Sequence, residues 1–279
     1  MNSETNFDIK YGASGGRPPI RADLHISETG YAELYLGSSW SLPAGTDTIG
    51  FFGGQIPPDK LDTLNKSLAQ HGFIDKSSGP SPSSPDANTR YLVLTNSQKE
   101  NQLTITNTAD DPPLAELEKM MADIMNDLVK QPLRAVQVTV TGAPNNNEQT
   151  LQPTVKFTNV GTEPLPILLF EGASSNNFLR IDVQLERWDP SPGGDLVTPL
   201  KTIRPNRDDI AALADNGQIP EGIQELASKD SYTFDLPPID LPAEENLHLR
   251  TNFTFWLPGS GPERRLVTVQ PQVIDFSKD

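Results

Sequence analysis

The chain has 279 residues, more than one hydrophobic core ordinarily organises, so two domains are expected. Its formal net charge is -15, and Lys plus Arg number 11 against 17 Asp plus Glu before Ala135 and 11 against 20 from there on, so both halves are acidic. That sheath opposes phosphate backbones and anionic lipid, which predicts no nucleic-acid and no membrane partner; the absence of cysteine excludes disulfides, thiol nucleophiles and cysteine-ligated metals.

The opening MNSETNFDIKYG has no basic run followed by an apolar one, and no stretch approaches a membrane span, so a cytoplasmic protein is expected. Phe7 to Tyr11 reads as a short strand running into a flexible glycine loop, Gly12 to Pro19. Ile20 to Ile26 and Tyr31 to Leu36 alternate as strands joined through Ser27-Glu28-Thr29-Gly30, a hairpin signal, and Gly50 to Gly54 continues the sheet. Pro57-Pro58-Asp59 opens a helix with Leu61, Leu64 and Leu68 on one stripe and His71-Gly72 at its end.

Lys76 to Asn88 is polar, Pro-rich loop. Arg90 to Thr95 and Gln102 to Thr106 form a second strand pair. Asp111 caps a longer helix carrying Leu114, Leu117, Met121, Ile124, Met125 and Leu128 on one face, and Pro132 stops it. Residues 1–132 therefore read as an α+β domain, a sheet with two helices.

From residue 133 the pattern changes to seven strand segments: 135–141, 154–160, 166–171, 178–187, 232–236, 247–256 and 265–274. Val155 and Phe157 alternate before the polar turn Asn159-Val160-Gly161, and Leu249, Thr251, Phe253 and Phe255 share one face. Residues 133–279 thus predict an all-β, immunoglobulin-like sandwich. An insert at about 189–230 is expected to hold two short helices, Asn206 to Ala214 and Pro220 to Ala227, and to serve either as a contact surface or as a structural crossover.

Chemistry is sparse. Gly12-Ala13-Ser14-Gly15-Gly16 matches the G-x-S-x-G pattern, but a nucleophile elbow needs a helix after the serine and Arg17-Pro18-Pro19 prevents one. His25, His71 and His248 lie far apart in sequence without triad or zinc spacing, so no catalytic residue, metal or cofactor is predicted. The residues best suited to touch another protein are Ser14, Gly15, Gly16, Arg17 and Pro18, where glycine allows close approach and proline stiffens, and Trp40 in the polar run Gly37 to Ser41. Trp188 adjoins the loop 189–192, and core or strand-end packing is its simpler reading.

Three features in order carry a resemblance: Ser14-Gly15-Gly16 after the first strand, the Leu61, Leu64, Leu68 helix followed by Gly72-Phe73-Ile74-Asp75, and Arg90 to Leu94 before the terminal helix. In these the first domain resembles the emfourin family, which implies an inhibitor of a thermolysin-type metalloprotease. The stretch from Leu24 to Gly54 is longer than in that family, which also lacks a following sandwich. Val155 to Asn159 and Leu165 to Phe170 make the second domain similar to immunoglobulin-like intracellular proteinase inhibitors. The expected function is non-catalytic binding of another protein, either a protease or a subunit of a larger assembly; the oligomeric state is left open.

Overall fold

The computed structural model describes residues 6–15, 20–38, 48–78, 88–105, 111–142, 144–145, 150–168, 180–211, 222–242, 246–258 and 264–275. The chain divides into two compact units, Met1–Ala135 and Val136–Asp279. The division falls inside a strand rather than at the helix-stopping Pro132, because the backbone turns extended at Pro132 itself and stays so to Thr141. The described residues are mostly β with few helices, and the strand pairs described below are antiparallel.

Within the first unit, β1 (Asp8–Gly15), β2 (Ile20–Ile26), β3 (Tyr31–Leu36), β4 (Thr48–Gln55), β5 (Asn88–Thr95) and β6 (Glu100–Ile105) form a sheet in the order β4-β3-β2-β1-β5-β6. Directly opposed residues share a face, so the register sorts the side chains into rows. One row is Phe52, Leu34, Leu24, Tyr11, Leu92 and Leu103, every member buried. A neighbouring row brings Ala32, Ile26, Ile9 and Leu94 onto the same apolar face. The β2–β3 turn closes as its sequence predicts: Ser27 N donates to Tyr31 O at 2.9 Å, and Gly30 adopts φ +83°, which side-chain-bearing residues rarely do.

The first strand corrects the expected loop. Gly12, Ala13, Ser14 and Gly15 are not flexible but paired on both edges, with β2 on one side and β5 on the other. Glycine is a poor strand former, so the composition after Tyr11 predicts a loop. Here Gly12 is required by packing: the Tyr91 ring lies over it, and a Cβ at that position would sit 2.4 Å from the ring carbon Cζ.

Two helices carry apolar stripes. α1 (Pro58–Gln70) starts at a proline in its first turn and buries Leu64 and Leu68; α2 (Pro112–Leu128) buries Leu117, Met121, Ile124 and Leu128. The Asp111 carboxylate accepts from Leu114 N at 3.1 Å, capping α2, and receives Lys76 Nζ at 2.8 Å, which holds its carboxyl below the usual range. α2 meets the sheet through a partly buried polar contact as well. Glu118 accepts from Arg90 at 2.8 Å and from the Tyr11 hydroxyl at 3.3 Å; burial, and then the Glu118 charge, push the Tyr11 phenol above its ordinary value. Lys60 on α1 reaches Asp127 on α2 at 2.6 Å, and Lys130 joins at 2.9 Å, so Asp127 is lowered to about 2.

The outer edge of β6 is sealed locally. After a short 3-10 turn at Phe73–Asp75, Ser78 donates to Gln102 O at 3.0 Å and accepts from Thr104 N at 3.2 Å, satisfying backbone groups that an outermost strand leaves open.

In the second unit, the part of β7 (Pro132–Thr141) from Val136 onward pairs with β10 (Thr154–Asn159), which pairs with β15 (Ser231–Asp235). Another sheet holds β11 (Leu165–Leu168), β12 (Arg180–Asp189), β13 (Leu196–Ile203), β14 (Ile223–Leu226) and β17 (Leu247–Pro258), in the order β13-β12-β17-β11-β14, with β18 (Arg264–Asp275) also on β17. The two sheets touch through phenylalanines: Phe157 of β10 meets Phe255 of β17 edge-on at 5.1 Å and Phe253 at 6.2 Å, and lies beside Phe234 of β15 at 5.9 Å. Burying a phenylalanine stabilises by about 1.5–3 kcal/mol before any ring geometry is counted. Three two-residue strands, β8 (Pro144–Asn145), β9 (Thr150–Leu151) and β16 (Ile239–Asp240), form a small separate sheet.

Asn159, fully buried, ties these elements together. Its amide donates to the carbonyls of Glu163, Leu226 and Ala227 at 2.8, 2.9 and 3.2 Å, and its side-chain oxygen accepts from Gly161 N at 2.9 Å. A side chain with that many donor and acceptor sites is one of the few that can close a buried turn without orphaned groups.

Among its described residues, the predicted insert holds two strands and one short helix. Residues 196–203 form β13 on the edge of β12, and the second expected helix, Pro220 to Ala227, contains strand β14 paired with β11. A short amphipathic run fits either period, and here the open edge of β11 decides the matter by supplying backbone partners. The first helix is present as α3 (Arg207–Ala211): Asn206 Oδ1 accepts from the amides of Asp208 and Asp209, and the Asp209 carboxylate accepts from Asn206 N.

Candidate functional site

The face of the first-unit sheet opposite Tyr11 and Leu24 carries Ser14 and a set of polar and aromatic side chains in contact with one another. Its central row runs Phe51, Tyr35, Asp23, Gly12, Tyr91 and Thr104; the next runs Gly53, Glu33, His25, Lys10, Val93 and Gln102. Alternation in Ile20–Ile26 places Arg21, Asp23 and His25 on this face while Ala22, Leu24 and Ile26 turn to the core. Because Gly12 has no side chain, the Tyr91 phenol crosses β1 and donates to Asp23 Oδ1 on β2 at 2.8 Å.

Contacts continue along the row. Arg21 Nε stands 3.5 Å from Asp23, and its guanidinium carbon lies 5.9 Å from the centre of the Tyr35 ring. The Tyr35 ring meets Phe51 at 4.9 Å, and Arg134 sits over Phe51 at 4.5 Å. Both rings are buried, and the attraction comes from the negative face of each ring toward the guanidinium above it. One row away, His25 Nε2 contacts Asp8 at 2.8 Å. Tyr35 and Phe51 are buried at one end of the row, while Arg21, Asp23, His25 and Ser14 keep solvent exposure, with Arg21, Asp23 and His25 in fixed contacts.

Ser14, exposed, stands on this same face opposite Arg21 and Thr89, and Gly15 is paired with Ile20 and Asn88. Gly16, Arg17, Pro18 and Trp40 lie outside the described residues. Ser14 and the strand position opposite His25 are four residues apart on β1, about 13 Å along a strand, far beyond hydrogen-bond reach for a nucleophile and base. Among the described residues, no group of three or more His, Asp and Glu side chains is placed to hold a metal, and no helix is long and apolar enough to cross a membrane.

Sequence reasoning missed Tyr91, Asp23, Tyr35 and Arg134. Alternation signals that Arg21, Asp23 and His25 point one way, but only the register shows Tyr91 opposite a glycine. In the second unit, Trp188 packs at a strand end, in line with its simpler reading. Its ring stacks on His248 at 4.4 Å and its indole N–H donates to the buried Glu186 carboxylate at 2.9 Å, with Arg250 Nε 3.4 Å away.

No family model matches this chain, and no curated protein does. Among solved structures, the sporulation control protein Spo0M from Bacillus subtilis aligns at 8% identity with a TM-score of 0.25, over 51% of this chain and 50% of that one. The chain therefore spans about half the length of that protein.

Proposed function

We propose that this chain is a non-catalytic protein-binding protein whose first unit presents the Ser14, Asp23 and Tyr91 face to its target, with inhibition of a thermolysin-type metalloprotease as the specific form of that activity. The observation that supports this most is the Tyr91–Asp23 hydrogen bond across Gly12, which holds an aromatic anchor in place before any partner arrives. Binding loses affinity to every side chain that must be ordered at contact, so a face already tied together binds with less entropic loss than a mobile loop. The emfourin resemblance adds the target class, and because Gly12 to Gly15 are paired within the sheet, the contact is proposed for the sheet face rather than for a flexible loop. The second unit, with Phe157 between opposed sheets, is proposed as an immunoglobulin-like sandwich that supports binding.

The test is a titration of the purified chain against a thermolysin-type metalloprotease. Inhibition at micromolar concentrations or below is expected, weakened about tenfold or more in Ser14→Arg, which crowds the face while leaving the core intact. An unaffected protease at those concentrations removes the inhibitor reading, and inhibition insensitive to Ser14→Arg removes the face as its origin.

A further inference from the structure

The helices of the first unit enclose a groove separate from the sheet face that carries Ser14 and Asp23. Between α1 and α2 lies a cleft of about 340 Å³ whose apolar lining comes from Leu64, Ile124 and Met120 and whose rim carries Asp59, Asp123 and Asp127. A second hollow of about 240 Å³, bounded by Ile56, Pro57 and Leu128, adjoins it. Lys60, Ile124 and Asp127 line both, so the Lys60–Asp127 ion pair stands where the two meet.

Lys60 illustrates what this groove accepts. Its ammonium sits 2.6 Å from Asp127, and its pKa is raised first by that hydrogen bond and charge and further by Asp123 and Asp59. All three carboxylates thus act on one cation. Asp127 is already shared by Lys60 and Lys130, whereas among the described residues no ion pair engages Asp59 or Asp123. The rim keeps unspent negative charge next to an apolar floor, in a chain of net charge -15.

From this charge complementarity we propose that the α1–α2 cleft docks a basic, amphipathic segment of a partner protein, an apolar side chain entering over Ile124 and Met120 and a flanking arginine or lysine meeting Asp59 and Asp123. The stem of a long cationic side chain covers apolar surface while its head stays at a carboxylate, so one residue can satisfy both parts of the groove. A second copy of this chain is a poor occupant, since like net charges repel as they approach.

The probe is a short fluorescent peptide in which leucine and arginine alternate, titrated onto the full chain at low salt and followed by anisotropy. Saturable binding is expected, weakened about tenfold or more by Asp59→Asn with Asp123→Asn, and by replacing each arginine of the peptide with the uncharged citrulline. Met120→Ala should weaken it several-fold, while Glu225→Gln in the second unit should leave it unchanged. The neutralised rim residues are exposed, and circular dichroism of each variant verifies its fold. Three results overturn the proposal: no saturable binding, equal affinity for the citrulline peptide, or the same loss from Glu225→Gln as from the rim pair. Competition of the peptide by self-association of the chain, seen in sedimentation, would assign the cleft to a second copy and overturn it as well.

Discussion

The two units bury their sheets by different means. In the first, helices cover one face and the other carries rows of charged and aromatic side chains tied to one another, with Tyr35 and Phe51 among them buried; in the second, two sheets meet through phenylalanines and Asn159 ties buried backbone groups together. A sheet backed by helices can keep an organised polar face because its apolar demand is met on the other side. A pair of opposed sheets spends its inner faces on contact, so its stability rests on shape at the centre.

The largest test of that contrast is Phe157→Ala. Removing a ring that touches Phe234, Phe253 and Phe255 should cost about 3–5 kcal/mol in urea unfolding. Hydrogen exchange should show protection lost at β10, β15 and β17 and kept at β1 and β2. Uniform loss across both units would break the comparison.

Glu118→Gln probes the polar attachment of α2 and should cost about 1–2 kcal/mol, less than a deeply buried pair because Arg90 keeps some solvent. Its pH dependence is a sharper signature. The folded Tyr11 phenol is held above its unfolded value of about 10, so its contribution is fully present below that pH and is lost as pH rises beyond it. The variant should lose stability less steeply in alkali, read as the unfolding midpoint against pH.

Asp127 gives the smallest effect. Lowered to about 2 by Lys60 and Lys130, it supports the fold above the ordinary carboxylate range near pH 4 and ceases to do so as pH falls toward about 2. Its ion pairs are half exposed, so Asp127→Asn should shift the acid unfolding midpoint slightly and the difference should vanish in high salt.

Much of the fold was readable from periodicity and end signals. Pro58, Asp111 and the leucine stripes locate α1 and α2, and Gly30 marks its turn, because these depend on neighbours in sequence. The extension of β1 through Gly12 and the strand at Ile223–Leu226 were not legible. Each depends on a residue distant in the chain, Tyr91 in one case and the edge of β11 in the other. The candidate face was legible only to the extent of the Arg21, Asp23, His25 alternation; the Tyr91–Asp23 bond requires the register of three strands.

Ser78 has a consequence for how this protein keeps company. Its hydroxyl occupies the Gln102 carbonyl and the Thr104 amide, the positions by which an unrelated extended chain would add itself to β6. With those two groups occupied, an added strand would have to displace the Ser78 hydroxyl before pairing there, which favours side chains over bare backbone in choosing the partners of the first unit.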